Sequence, residues 1–245
     1  MQKIKPDIST VLLCGRIANL QRSRRSHDFV LSQAQQWQVS VTGLGAAAMG
    51  MGAAGIGLIN MAANSDEEAD WVEFELDGKH IEGWLWMMPM RNGDKVEVVA
   101  QQAGENQYLA FAVRRESDDL LAVYPHATAG RKAHYKNMMR IMLWTFCIVY
   151  PISIVAFYLA GNGFGGDPVG FFSDMTLYGA AGLIVLIAIF YRTGRKLMSF
   201  AHLAETIFRA YGWPDVEKID LRKTSRENRR ENKLPNYGNY YFRYK

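Results

Sequence analysis

The chain has 245 residues, 49% of them hydrophobic and 21% charged, with a formal net charge of +4. That length allows one moderate domain plus a smaller appended part, and so modest a positive balance, gathered beside apolar runs and near the C-terminus, points to lipid headgroups rather than to nucleic acid. Two cysteines, Cys14 and Cys147, exclude a disulfide framework and imply no metal or cofactor.

In chain order, the first apolar run is interrupted at Arg16, too early for a secretory signal. Residues 8–32 read as two short strands, 9–17 (STVLLCGRI) and 28–31 (DFVL), separated by a polar turn of Arg22, Ser23, Arg24, Arg25 and Ser26. From Phe29 to Ser65 there is no charge, and the centre of this run, residues 41–63, is VTGLGAAAMGMGAAGIGLINMAA. Acidic residues Asp66, Glu67, Glu68 and Asp70 end it. Residues 71–76 (WVEFEL) then alternate, with Glu73 and Glu75 on one face and Val72, Phe74 and Leu76 on the other. Asp77-Gly78 is a two-residue hairpin signal, after which residues 80–88 (HIEGWLWMM) return. Further turns at 91–94 and 104–106 lead into residues 95–100 (KVEVVA) and 107–113 (QYLAFAV), and a last run at 120–124 stops at Pro125. Six or seven short strands at near-regular spacing predict a small antiparallel β-barrel, OB or SH3-like, over residues 1–130 with a Gly/Ala-rich insertion at 33–65.

Residues 141–160 (IMLWTFCIVYPISIVAFYLA) contain no charge, and residues 175–191 (MTLYGAAGLIVLIAIFY) form a second apolar run. A bilayer core of about 30 Å takes roughly 20 helical residues. The first run fits, and the second reaches with Phe171 and Phe172, leaving Asp174 near the headgroups. Residues 131–192 therefore predict a transmembrane helical hairpin, since only internally hydrogen-bonded elements suit lipid; a helical pair buried in a soluble core is the other arrangement this composition permits. Arg131, Lys132, Lys136 and Arg140 precede the first span, and Arg192, Arg195 and Lys196 follow the second, whereas the loop carries Asp167 and Asp174 with no Lys or Arg. These seven cations orient the hairpin with both termini in the cytoplasm. Trp144, Tyr158, Tyr178 and Tyr191 are expected towards the span ends, and Pro151 predicts a kink.

Residues 193–214 predict an amphipathic helix closed by Gly212 and Pro214. Its stripe is Leu197, Phe200, Ala201, Ala204, Ile207, Phe208 and Tyr211, with Lys196, Ser199, His202, Glu205 and Arg209 on the other faces. The stripe has two candidate resting places, the barrel and the inner leaflet. The tail, 215–245, is charged and then Tyr-rich, and reads as solvated. The fold class is thus α+β: a barrel, a two-helix membrane hairpin and an amphipathic helix.

Within the uncharged run, Gly43-x-Gly45-x-x-Ala48 has dinucleotide-binding spacing, but hairpin strands follow where a βαβ crossover is required; Gly161, Gly163 and Gly166 match the same spacing in the loop between spans. Small-xxx-small pairs among Gly43, Ala47, Gly50, Ala54 and Gly57 point instead to helix packing within lipid, and these are the candidate membrane-active residues. Glycines there cost roughly 1 kcal/mol each as helix formers, so a helix in water is disfavoured. A single crossing would also place the two halves of the barrel on opposite sides of a bilayer, so the segment is expected to stay on one side; a flexible insertion with no role is the plain alternative. No H-E-x-x-H, G-x-S-x-G or P-loop occurs, and His27, His80, His126, His134 and His202 lack ligand spacing. The expectation is a protein without enzymatic activity, cofactor or metal. Arg22, Arg24 and Arg25 suit anionic lipid or a solvated turn. Trp71, Trp84, Trp86, Tyr108 and Phe111 suit base stacking or simply the core.

The order DISTVLLCGRI, WVEFELDGKHIEGWLW, GDKVEVVA, LLAVYPHATAGRKAH, two spans, and AETIFRAYGWPDVEKIDLRK resembles bacterial proteins catalogued as type VI secretion system effectors. The resemblance covers most of the chain and implies a Gram-negative host, an inner-membrane location or delivery to a target-cell membrane, and secretion-system components as protein partners. Two readings of function follow. In one, the hairpin and the Gly/Ala segment perturb or permeabilise a bilayer, alone or as a homo-oligomer. In the other, a resident inner-membrane adaptor or immunity protein binds a protein partner through its cytoplasmic barrel.

Overall fold

The computed structural model describes residues 10–26, 68–160, 168–227 and 236–244. The strands are β1 (Val11–Ser26), β2 (Glu68–Leu76), β3 (Lys79–Leu85), β4 (Lys95–Gly104), β5 (Gln107–Arg115), β6 (Leu121–Val123) and β7 (Tyr241–Phe242). The helices are α1 (Arg131–Ala160), α2 (Pro168–Lys196), α3 (Met198–Ala210) and α4 (Leu221–Glu227), with a 3-10 turn at Val216–Lys218 before α4.

Alternation in β2 and β3 does what the period of two requires: Val72, Phe74, Leu76, Ile81 and Leu85 are buried while Glu75 and His80 face out. Asp77 and Gly78 both take positive φ, 49° and 81°, the geometry a two-residue hairpin demands. The sheet runs β3-β2-β1-β4-β5, and β3 pairs back onto β5 to close a five-stranded barrel. That last pairing is parallel, from His80 with Gln107 to Glu82 with Leu109, so the expectation of a wholly antiparallel barrel is corrected. Parity explains it. Five strands alternating in direction cannot close without two neighbours running the same way. At this seam a Cβ on Gly83 would lie 2.5 Å from the Ala110 carbonyl oxygen, so only glycine lets β3 approach β5 this closely.

The polar turn expected at Arg22–Ser26 is instead the second half of one continuous 16-residue strand. Its first half pairs with β4, from Val11 with Ala100 to Arg16 with Lys95, and its second with β2, ending at Ser26 with Glu68. A register shift between Ala18 and Gln21, with Asn19 at φ 53°, lets one strand serve two neighbours. The arginines fit a strand because Arg24 is paired with Glu68 at 2.9 Å and Asp70 at 3.1 Å across the ladder.

Two apolar clusters hold the domain. Inside the barrel, Ile17, Val72, Phe74, Ile81, Met88, Met90, Val96 and Val98 pack with Tyr237 and Tyr241. Outside it, Val99, Phe111, Ala112, Leu121 and Val123 pack beneath Leu203, Ala204, Ile207 and Phe208 of α3, with Ile219, Leu221 and Phe242. The α3 stripe therefore rests on the barrel. Glu205, assigned above to an outward face, is buried. The Tyr-rich end is part of the fold as well: β7 pairs with β6, Phe242 opposite Leu121 and Tyr241 opposite Ala122. Tyr237 and Phe242 have no exposed surface.

Candidate functional site

The hairpin α1–α2 and the place where it joins the barrel are the most distinctive parts of the molecule. α1 has 30 residues, about 45 Å of helix, and continues through Pro151. Within its apolar length the small polar side chains bond back one turn, Thr145 Oγ1 to the Ile141 carbonyl at 2.9 Å and Ser153 Oγ to Val149 at 2.8 Å, so neither hydroxyl needs water.

The two helices pack antiparallel along their whole length. At the base, the Nε2–H of His134 donates to the Gly194 carbonyl at 3.3 Å. Midway, Tyr150 donates its hydroxyl to Met175 at 3.0 Å, and its ring occupies the space where Gly179 lacks a side chain. Towards the loop, the rings of Tyr158 and Phe171 meet edge-on at 5.7 Å between centroids. Tyr178, beside Gly179, lies about a third of the way along α2 from its start at Pro168, and Asp174 lies on the helix about a turn nearer the loop. The outer surface is apolar and open: Leu159 is 72% exposed, Leu177 and Ile184 68%, and Trp144 65%.

The foot of the hairpin is built from charges on four segments. The α1 N-terminus is capped from outside the helix by Glu205, which is 3% exposed and accepts the backbone N–H of Arg131 at 2.8 Å and its Nε at 2.9 and 3.0 Å. Glu217 accepts from Arg131 at 2.9 Å and Lys132 at 2.7 Å. The bond to Lys132, with the positive charge of Arg131 beside it, holds the Glu217 carboxyl below its ordinary range. Asn137 donates to Asp220 at 2.7 Å. Gly130 donates its N–H to Ile219 at 3.0 Å, and any Cβ there would strike the backbone of Val216 and Glu217. A carboxylate at a helix N-terminus also meets the positive end of the helix dipole. These contacts fix the entry of α1 against α3 and the 3-10 turn.

Of the seven cations read as membrane-orienting, Arg131 and Lys132 are thus spent within the protein. Lys136 and Arg140 are exposed and line a shallow groove with Met139, Leu143 and Trp144. Arg192 is exposed, Arg195 lies 5.9 Å from the Tyr191 ring centroid, and Lys196 ends α2. The candidate packing residues Gly43, Ala47, Gly50, Ala54 and Gly57 lie outside the described residues. Residues 27–67 nonetheless join two strand ends that pair with each other, Ser26 with Glu68. One rung away, Ala69 is buried against Phe200, with Trp84 and Leu197 alongside. The two described strand ends that flank residues 27–67 therefore lie at the hairpin foot. Among the proposed base-stacking aromatics, Trp86 and Phe111 are buried, and Trp71, Trp84 and Tyr108 are half-buried. Among the described residues, no three metal-ligating side chains converge.

Burial holds the His134 imidazole below its ordinary value of 6.5, against the opposing pull of the Gly194 carbonyl. The folded protein thus binds fewer protons there than the unfolded chain, so stability from this site is full above pH 6.5 and falls away as pH drops through the folded pKa. The thermal midpoint of the wild type in detergent should decline more steeply between neutral and acidic pH than that of His134→Leu. Parallel declines would show that His134 contributes nothing to the acid sensitivity of the fold.

The residues missed from sequence were the partners at the foot: Glu205, Glu217, Asn137 and Asp220. Only Glu205 left a trace, as a carboxylate directly beside the stripe residue Ala204. No family model, no curated protein and no solved structure matches the chain.

Proposed function

We propose that the protein is a resident, non-enzymatic integral membrane protein whose hairpin spans the bilayer and holds an OB-type barrel at the cytoplasmic surface as an adaptor or immunity module for a protein partner. The observation that carries the membrane reading is the open surface of the hairpin: only 6% and 11% of the most apolar stretches of its two helices are buried. A helical pair serving as a soluble core would be mostly covered, and so large an apolar surface is stable only in contact with lipid or a partner. Both feet of the hairpin are bound to the barrel domain, which supports placing the barrel, α3 and the C-terminal segment on one side, and the exposed cations Lys136, Arg140, Arg192 and Arg195 support reading that side as the cytoplasm. Closure of five strands with one parallel seam favours the OB member of the two barrel types.

The clamp on Arg131 favours residence over delivery. A hairpin that waits in a soluble form must be able to part from its carrier domain, whereas here its entry is tied to a buried carboxylate. The second reading, a membrane-perturbing effector of the type VI class, draws on the uncharged run of residues 29–65, whose flanking strand ends Ser26 and Glu68 lie beside the hairpin foot, and on the sequence resemblance. Reporter fusions after Gly130, Gly165 and Lys245 should read cytoplasm, exterior and cytoplasm; an exported reading at either outer position would overturn the orientation. Expression with membrane potential followed by a voltage-sensitive dye separates the functional readings. Accumulation without depolarisation is the expected result, and prompt depolarisation would replace the adaptor with the effector.

A further inference from the structure

The outer face of β1–β2–β3 changes character along its length. The rung nearest the hairpin foot pairs Arg25 with Ala69, and the next brings Ser23, Trp71 and Trp84 side by side. The two indoles meet edge to face with centroids 5.1 Å apart, and both are half-buried. The following rung holds Glu73 and Glu82, and beyond it lie Glu75 and His80. Arg25 and the tryptophans thus lie towards the foot, where Glu68 is paired with Arg24 and Glu73 accepts the Trp71 indole N–H at 2.6 Å, while Glu75 and Glu82 lie further from it. Ala69 and Trp84 pack against Phe200 and Leu197, the latter being the residue that follows α2. This places the indoles just where the chain leaves the proposed bilayer.

Arg25 differs from its neighbours. Arg24 is neutralised by Glu68 and Asp70, and Arg22 donates to the Met88 carbonyl at 2.8 Å. Arg25 is exposed, and among the described residues its guanidinium meets only the Ser23 hydroxyl, at 2.8 Å. Tryptophan favours the depth of lipid headgroups because its ring is apolar and its N–H polar. An arginine beside it with no carboxylate partner among the described residues favours anionic phosphate.

We propose that Arg25, Trp71 and Trp84 form a seat on which the barrel rests against anionic lipid headgroups beside the hairpin. The seat rests on the reading that the hairpin spans the bilayer. It gives the barrel a second hold on the membrane surface and limits how it tilts about the hairpin foot. Glu75 and Glu82, further along the face, are repelled by the same surface, which sets the direction of the tilt.

Hydroxyl-radical footprinting of the full chain in nanodiscs tests both readings at once, with oxidation of each side chain read by mass spectrometry. Nanodiscs of phosphatidylcholine alone are compared with nanodiscs that also contain phosphatidylglycerol. Trp71 and Trp84 should oxidise about fivefold more slowly in the anionic discs, the factor expected for one cation held at a charged surface. Tyr108, at the opposite end of the β2–β3 ladder and paired with Ile81, should be unchanged, and Arg25→Glu should abolish the difference. Tyr178, exposed on the apolar length of α2, reports insertion in the same digest. If Tyr178 is shielded in both lipids but Trp71 and Trp84 react equally in both, the seat falls and the spanning hairpin stands. If Tyr178 reacts freely, both fall. Shielding of the indoles that is the same in neutral lipid, or that survives Arg25→Glu, also overturns the seat and points to another part of the chain or a second copy as the cover.

Discussion

Phe242→Ala is expected to lower stability by about 3–5 kcal/mol, the range for truncating a fully buried phenylalanine, although the residue lies close to the C-terminal end of the sequence. Phe242 has no exposed surface and packs with Leu121, Val123, Ile207, Phe208 and Leu221, where barrel, α3 and α4 meet. Few routes exist for that space to collapse, because its walls belong to three separate elements. The loss corresponds to a fall in thermal midpoint on the order of 10 °C for a protein of this size, read by near-UV circular dichroism in detergent. Asn239→Ala, at an exposed turn position three residues earlier, should leave the midpoint in place. An unchanged midpoint for Phe242→Ala would mean that the C-terminal segment is not part of the cooperative unit.

Glu205→Ala should cost about 2–3 kcal/mol. Breaking a buried ion pair typically costs about 3–5 kcal/mol, but the Arg131 side chain is 34% exposed and keeps Glu217, so solvent and the second carboxylate recover part of it. The change also leaves the first backbone N–H of α1 without its acceptor. Glu205→Gln, which retains an acceptor but not the charge, should fall between the two. Limited trypsin digestion gives a readout specific to this junction, since cleavage after Arg131 or Lys132 requires α1 to lift from α3. Faster cleavage there is expected for Glu205→Ala. Wild-type cleavage together with a wild-type midpoint would remove the clamp from the account.

What the sequence made legible, and what it hid, follows the range of the interactions involved. The hairpin was legible from composition, because residues 141–160 need no partner to announce themselves. The paired strands β2 and β3 were legible from alternation and from Asp77-Gly78. β1 was misread because Arg22, Arg24 and Arg25 look like a turn when Glu68 and Asp70, which neutralise Arg24 across the ladder, are more than forty residues away. The parallel seam was within reach of a parity argument once five strands were counted. β7 was not, since a two-residue strand has no period to detect, and the charged stretch before it suggested solvent. At the site, the outward cations Lys136, Arg140, Arg192 and Arg195 were found by counting charges. That Arg131 and Lys132 are consumed by Glu205 and Glu217 depends on contacts spanning 74 and more residues, which no local pattern records.

The pairing of β7 with β6 has a consequence for how the chain is made. A ribosome delivers β1 to β6 first, then the hairpin, and only afterwards α3, α4 and β7. Until those last pieces emerge, Val99, Phe111, Leu121 and Val123 are uncovered, and β6 has an open edge. The cover therefore arrives only after the two apolar helices have left the ribosome. If the hairpin inserts as proposed, a nascent chain whose hairpin stalls would present an unfinished barrel to chaperones and proteases, which couples insertion to barrel completion.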